Sequence, residues 1–152
     1  MLLNYPNNPT GATLNREQLQ QIVDIARPHG LIILSDEIYS ETCFTEEGHT
    51  SIAEFYPERT IISNGCSKWL GAGGWRVGFM IIPPQMQALI KSMNMLQSET
   101  FSAVSAPIQF ASVKGFDDTP QMIEFLKNQR LILQEVSKLF HEKLTKNGVK
   151  CT

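Results

Sequence analysis

Lys68 lies in a loop rich in glycine and tryptophan, and Arg76 follows it eight residues later. The stretch that contains both, residues 63–78, reads SNGCSKWLGAGGWRVG. A lysine amine can form an imine with a carbonyl compound, and an arginine guanidinium is suited to binding a phosphate group. Trp69 and Trp75 argue against a fully solvated loop. The pair therefore favours chemistry on a carbonyl compound that also carries a phosphate.

Two further polar motifs lie upstream, each after an apolar segment. The turn NNPTG at 7–11 contains Asn8, and the apolar run LIIL at 31–34 leads directly into SDEIY, which contains Asp36 and Tyr39. In open α/β sheets, ligands bind at the carboxyl ends of the strands. A carboxylate at that edge can hold a pyridine nitrogen in its protonated form. An imine-forming lysine beside a phosphate-binding arginine is what chemistry with pyridoxal phosphate (PLP) requires.

The three motifs, in this order and at these intervals, resemble the class I aminotransferases of PLP fold type I. Asp36 follows Asn8 by 28 residues, and Tyr39 follows Asp36 by three. One such motif alone carries little weight, but three in order at family spacing are specific. The resemblance extends through essentially the whole chain, although such an enzyme is more than twice as long. The chain is therefore expected to correspond to the middle of the enzyme.

The resemblance implies a role for each motif residue. Lys68 would be the catalytic residue, forming the Schiff base with PLP and then moving a proton between the substrate Cα and the cofactor. Asp36 would bind the pyridine nitrogen. Tyr39 and Asn8 would contact the phenolic oxygen, and the Asn8–Pro9 peptide bond is predicted to be cis. Glu37 is interpreted as a neighbour at the end of the strand, with no role in the site.

Arg76 would bind the PLP phosphate, with Ser67 or Ser63 adding a hydroxyl. The sequence departs from the family here, because many members carry a serine three residues before the lysine and this chain has Gly65. The resemblance thus implies a cofactor-binding set, and no metal site, formed by Asn8, Asp36, Tyr39, Ser67, Lys68 and Arg76.

Other functions remain open at this point. The chain could be a non-catalytic remnant or an interaction protein that retains the fold, or a PLP-dependent lyase, since elimination and ring closure use the same core residues. A nucleotide-binding α/β domain is disfavoured because neither a GxGxxG nor a Walker sequence is present. If the chain is part of an aminotransferase, as the resemblance implies, the substrates are an amino acid and a 2-oxo acid, and the full-length form is expected to be a homodimer.

Composition excludes several classes of protein. The formal net charge is -2 and the pI is near 5.9, and no basic patch stands out, so nucleic acid is not an expected partner. No signal-like or membrane-length apolar run is present, which predicts a soluble protein without a membrane partner. Three cysteines and three histidines show no metal spacing, which favours a cytoplasmic protein with free thiols. All three histidines (His29, His49 and His141) are interpreted as surface or loop residues.

Apolar periodicity predicts the elements that position these motifs. Short strands are expected at 1–4, 31–35, 60–63 and 77–82, and helices from Asn15, from Pro83, over 103–113 and over 121–146. Strands that alternate with helices predict an α/β fold with a mainly parallel sheet flanked by helices. By resemblance, residues 1–120 form part of the large PLP-binding domain. Residues 121–152 form a long interdomain helix and the start of a small domain.

Overall fold

A single four-stranded sheet organises the chain in this computed structural model, which describes residues 1–151. The strands are β1 (Leu2–Asn4), β2 (Ile33–Asp36), β3 (Thr60–Gly65) and β4 (Gly78–Ile81). They lie side by side in chain order, with β1, β2 and β3 parallel and β4 antiparallel to β3. The predicted α/β fold with a mainly parallel sheet is confirmed. The antiparallel fourth strand is an addition to that prediction.

Four α-helices surround the sheet: α1 (Arg16–Ala26), α2 (Gln87–Thr100), α3 (Ala106–Val113) and α4 (Pro120–Lys146). The predicted start of α1 is confirmed, because the Asn15 side chain accepts from the Gln18 backbone N–H and the Gln18 side chain accepts from the Asn15 N–H. This reciprocal capping box satisfies two backbone donors that the first helical turn leaves unpaired.

The main core lies between α1 and one face of the sheet. Leu19, Val23 and Ala26 of α1 are buried against Ile33 of β2 and against Tyr5, which follows β1. Their spacing on α1 is that of one helical face, as the apolar periodicity predicts. This packing fixes the first two strands, whose ends carry the upstream motifs.

A second, smaller core forms under the lysine loop. Cys66, Trp69 and Ala72 are buried there, and Leu126 of α4 packs against them. The helix α4 is also attached by Arg130, whose guanidinium donates to the backbone oxygen of Glu41 at 3.0 Å. The first half of α4 therefore supports both the loop that contains Lys68 and the segment that follows Tyr39.

Three elements were predicted to start too early, by two to four residues. β2 begins at Ile33 because Leu31 and Ile32 are exposed at the approach to the sheet. α2 begins at Gln87, since the two prolines at 83–84 precede it in a turn. α3 begins at Ala106, with Pro107 in its first turn, where a missing N–H costs no hydrogen bond.

Large apolar side chains are exposed on the later helices, among them Phe101, Phe110, Ile132 and Phe140. Within residues 1–151, no helix has the combination of length and apolar character that crossing a membrane requires.

Candidate active site

The register of the sheet brings the three motifs to one edge. Asn4 of β1 pairs with Asp36 of β2, and Asp36 pairs with Ser63 of β3, so these residues form one row across the parallel strands. The chain leaves β1 into the turn that contains Asn8 and leaves β2 into the segment that contains Tyr39. It leaves β3 into the loop that contains Lys68. The carboxyl ends of three parallel strands thus supply all the motifs.

Asn8 and Tyr39 are in direct contact. The Asn8 side-chain amide donates to the Tyr39 hydroxyl at 3.2 Å, which joins the turn after β1 to the segment after β2. The Asn8–Pro9 peptide bond is cis, so that prediction is confirmed; Tyr5–Pro6 is also cis. The Asn8 backbone N–H is held by the Asn4 side-chain oxygen at 3.3 Å. The turn is therefore tied to the strand that precedes it.

Asp36 is held by a neighbour that sequence reasoning missed. The Asn4 side-chain amide donates to Asp36 Oδ2 at 3.1 Å, and Asn7 in turn donates to Asn4 Oδ1 at 2.8 Å. The Ile38 backbone N–H lies 3.4 Å from Asp36 Oδ1. These contacts orient a half-buried carboxylate at the end of β2. The signal was the position of Asn4, which the register places directly beside Asp36.

Lys68 reaches the same place from the third strand. Its amine lies 5.3 Å from the centroid of the Tyr39 ring, and Lys68, Tyr39 and Asn8 line one open cleft of about 720 Å³. The side chain of Lys68 is exposed, while the neighbouring Trp69 is 6% exposed. Within residues 1–151, the Lys68 amine takes part in no ion pair. The cleft therefore presents an accessible amine beside an amide and a phenol.

Arg76 and Ser67 are not brought into that cleft. Arg76 is exposed, donates to the Gly73 backbone oxygen at 2.9 Å and lines a neighbouring cleft together with Ser63 and Asn64. Ser67 is half-buried at the start of the lysine loop. The structure thus groups Asn8, Tyr39 and Lys68. Asp36 lines neither cleft, although its register neighbour Ser63 lines the second one.

Glu37 lies at the end of β2 and His49 lies in a loop, as interpreted, but their burial against each other was not foreseen. Glu37 is buried, and its carboxylate accepts from His49 Nε2 at 3.0 Å. The side chain of His49 is 9% exposed and its ring lies 5.0 Å from the ring of Tyr5, so it is not a surface residue. Burial is the largest influence on the pKa of Glu37 and raises it, but the hydrogen bonds that Glu37 accepts together bring the pKa below its ordinary value. The Glu37 carboxylate is therefore ionised at neutral pH, on the face of the sheet opposite Asp36.

Tyr5 shows the opposite effect. Burial, reinforced by the charge of Glu37, raises the pKa of Tyr5 to about 12. Its hydroxyl therefore remains protonated at neutral pH, and it accepts from the Ile52 backbone N–H at 2.7 Å. At neutral pH, Glu37 is therefore ionised and Tyr5 is protonated, and both groups lie on the α1 side of the sheet.

The whole chain matches a known protein family. A family model described as aminotransferase class I and II matches residues 1–152. An aspartate aminotransferase from Pyrococcus horikoshii is 36% identical over 131 residues, which cover 85% of this chain and 33% of that protein. A glutamate-pyruvate aminotransferase from Escherichia coli is 39% identical over 125 residues, covering 80% of this chain and 31% of that protein.

Solved structures agree with this result. Aspartate aminotransferase from Thermus thermophilus, determined with maleate, matches 98% of this chain and 38% of that one, with a TM-score of 0.89 and 30% identity. An aromatic aminotransferase from Pyrococcus horikoshii matches 95% of this chain with a TM-score of 0.86 and 32% identity. The chain spans about a third of the length of the relatives that it matches. Motif order, sheet register and these matches agree, and the chain belongs to the class I and II aminotransferase family.

Proposed function

We propose that this chain carries the cofactor-attaching part of a PLP-dependent aminotransferase, which transfers an amino group between an amino acid and a 2-oxo acid. The family uses PLP. The observation that carries the proposal is the convergence of Asn8, Tyr39 and Lys68 on one cleft, with Asp36 at the adjoining end of β2.

The residues present fit the cofactor chemically. PLP requires an amine for its aldehyde, an acceptor for its ring N–H and donors for its ring oxygen, and Lys68, Asp36 and the Asn8–Tyr39 pair are groups of these kinds. The cleft of about 720 Å³ is within the usual size range of small-molecule sites. Arg76 lines the adjacent cleft and is a suitable cation for the phosphate. Ser67 would add a hydroxyl there.

When bound, PLP supplies an electron sink that stabilises negative charge at the substrate Cα. Asp36 would hold a proton on the pyridine nitrogen, and the contact with Asn4 fixes the carboxylate for that task. Tyr39 and Asn8 would orient the ring through its phenolic oxygen. The Lys68 amine would attach the cofactor covalently and, once released by substrate, remove the proton from Cα.

Residues 1–120 would belong to the large PLP-binding domain, and residues 121–152 to the interdomain helix and the start of a small domain; α4 and its contacts with the lysine loop support this division. The working form would be a homodimer. A cytoplasmic location is in keeping with the free thiols of Cys43, Cys66 and Cys151.

The test is covalent labelling of the complete protein. Borohydride reduction in the presence of PLP, followed by peptide mapping, should place the pyridoxyl group on Lys68. Lys68→Ala should abolish the absorption band of the attached cofactor and nearly all amino transfer. Lys91→Ala, which removes an exposed lysine of α2, is the matched control and should retain both.

Two results would contradict the proposal. Label on another lysine, or full activity of Lys68→Ala, would show that the site has been assigned to the wrong residue. Attachment of PLP to Lys68 without any amino transfer, or with elimination as the main reaction, would favour the remnant or the lyase instead.

A further inference from the structure

A buried hydrogen-bond network lies on the α1 side of the sheet, centred on Glu37. The carboxylate of Glu37, which is 4% exposed, accepts from Ser35 Oγ at 2.9 Å, Ser51 Oγ at 2.7 Å and His49 Nε2 at 3.0 Å. An ionised carboxylate only accepts hydrogen bonds, so His49 must carry its proton on Nε2. We call these four residues together with Tyr5 the Glu37 network.

Tyr5 connects the network to the first strand. Its hydroxyl accepts from the Ile52 backbone N–H at 2.7 Å, and its ring packs on that of His49. Tyr5 also donates its own backbone N–H to the Asp36 carbonyl at 3.4 Å. The network therefore joins three segments that are distant in sequence: the residue after β1, the end of β2, and the loop at 49–52.

Two of these segments, the one after β1 and the end of β2, also lead into the candidate site on the other face. Successive side chains of a strand point to opposite faces, so Ser35 and Glu37 are directed to the α1 side while Asp36 is directed away from it. Tyr5 comes three residues before Asn8, and Glu37 lies between Asp36 and Tyr39. The Asn8–Tyr39 contact spans two of the segments that the network joins. None of the network residues lines the cleft that contains Lys68.

We propose that Glu37 and His49 are positioning residues that fix Asn8, Asp36 and Tyr39 relative to one another, and so set how PLP is held. The part of this proposal that concerns PLP rests on the proposed function, whereas the part that concerns the Asn8–Tyr39 contact does not. The network acts through the backbone of the strand ends, without touching the cofactor.

The cost of burial supports a geometric role. A buried carboxylate is unfavourable unless it is fully hydrogen-bonded, and a buried polar cluster is often no more stabilising than apolar side chains of similar volume. Directional bonds differ from apolar packing in that they specify one arrangement. Three donors from separate positions converge on the Glu37 carboxylate, and only one relative placement of the strand ends satisfies them all.

The experiment removes the acceptor and the donor in turn. Glu37→Gln loses the charge at nearly constant size, and His49→Ala loses the donor. His49→Gln restores a side-chain N–H and should rescue the effect. Ser51→Ala removes one of the three hydrogen bonds and gives a milder variant if the others fail to fold. The matched control is His29→Ala, which removes an exposed histidine from the turn after α1.

Three readouts separate positioning from stability. Crystal structures of the ligand-free proteins report the distance between Asn8 Nδ2 and Tyr39 Oη, which should exceed hydrogen-bonding range in Glu37→Gln and His49→Ala. In the complete protein, the dissociation constant for PLP should rise about tenfold or more, as is typical when the support of a site's ligands is removed. The pH midpoint of the bound-cofactor absorption should also shift, because the ring oxygen has lost its donors. Ser51→Ala should show a smaller change of the same kind.

The outcomes are distinguishable. An intact Asn8–Tyr39 contact with unchanged PLP affinity and pH midpoint, in folded Glu37→Gln and His49→Ala or in Ser51→Ala, would overturn the inference even if the variants were less stable. If the unmodified complete protein fails to bind PLP, the proposed function is refuted, and the Asn8–Tyr39 distance alone then decides the positioning role.

Discussion

Replacement of Gly65 by alanine should disturb the pairing of β3 with β4. A Cβ built at this position would lie 2.7 Å from the Val77 carbonyl oxygen, 3.2 Å from Gly78 Cα and 3.5 Å from the Ile38 side chain. The two shortest contacts are to backbone, which cannot move aside as a flexible side chain would. The Val77 oxygen also accepts from the Cys66 N–H at 3.1 Å. The clash therefore falls on the segment that leads into Lys68.

The magnitude follows from three contributions. Overpacking costs about 1–3 kcal/mol, and weakening the hydrogen bond to Val77 costs about 1 kcal/mol more. The smaller entropy of the unfolded alanine chain returns about 0.4–1 kcal/mol. Gly65→Ala should thus lower the free energy of unfolding by about 2 kcal/mol. Serine carries the same Cβ, so the serine that many relatives have three residues before the lysine is not accommodated here without a shift of the strand.

The assay is urea unfolding of the two variants Gly65→Ala and Gly74→Ala beside the unmodified protein. Gly74 is a suitable control because a Cβ there would meet nothing within 4 Å and its φ is not positive. Gly74→Ala should stay within about 0.5 kcal/mol of the unmodified protein or gain slightly. Equal stability of the two variants would refute the steric reasoning at the end of β3.

Four further outcomes are expected. Asp36→Asn should leave covalent attachment of PLP intact yet slow Cα deprotonation by about 10²-fold or more in single-turnover kinetics, since an amide does not keep the ring nitrogen protonated; an unchanged rate would contradict this. Arg76→Ala should weaken PLP retention in dialysis with little change in turnover at saturating PLP, because a phosphate contact serves ground and transition states alike. The lowered pKa of Glu37 should contribute stability above the ordinary carboxyl value of 4.5 that is lost as the pH falls through the folded-state pKa, so urea midpoints of Glu37→Gln should depend less on acid pH than those of the unmodified protein. The isolated chain should self-associate on a sizing column through its exposed apolar side chains, and a monodisperse monomer would contradict that expectation.

The fold was predictable because the local signals agreed with the tertiary arrangement. The apolar run before Asp36 predicted a buried strand, and Asn15 with Gln18 predicted the start of α1, as the structure shows. The boundaries near Leu31 and Pro83 were less accurate. An apolar residue just outside a sheet has the same composition as one inside it, and prolines can precede a helix in a turn as readily as open it.

The candidate site was predictable only in part. The order of the motifs brought Asn8, Tyr39 and Lys68 together, because the carboxyl ends of parallel strands meet at one edge. The partner of Asp36 was missed, because the adjacency of two parallel strands does not by itself fix the register that places Asn4 beside it. Arg76 was assigned to the phosphate from its residue type and the family resemblance, and its side chain is hydrogen-bonded to Gly73 beside a neighbouring cleft.

The Glu37 network shows why the rest was not visible in the sequence. His49 follows two glutamates and a glycine, which is the composition of a solvated loop, yet the chain folds back and buries the ring against Tyr5. In the structure, Glu37 shares the buried face of Ile33 and Ser35, as the alternation of side chains along a strand requires. A carboxylate at such a position requires donors from elsewhere in the fold. That requirement is the physical signal in the sequence. It distinguishes the face of β2 that carries Glu37, which needs buried donors, from the face that carries Asp36, the proposed partner of the cofactor.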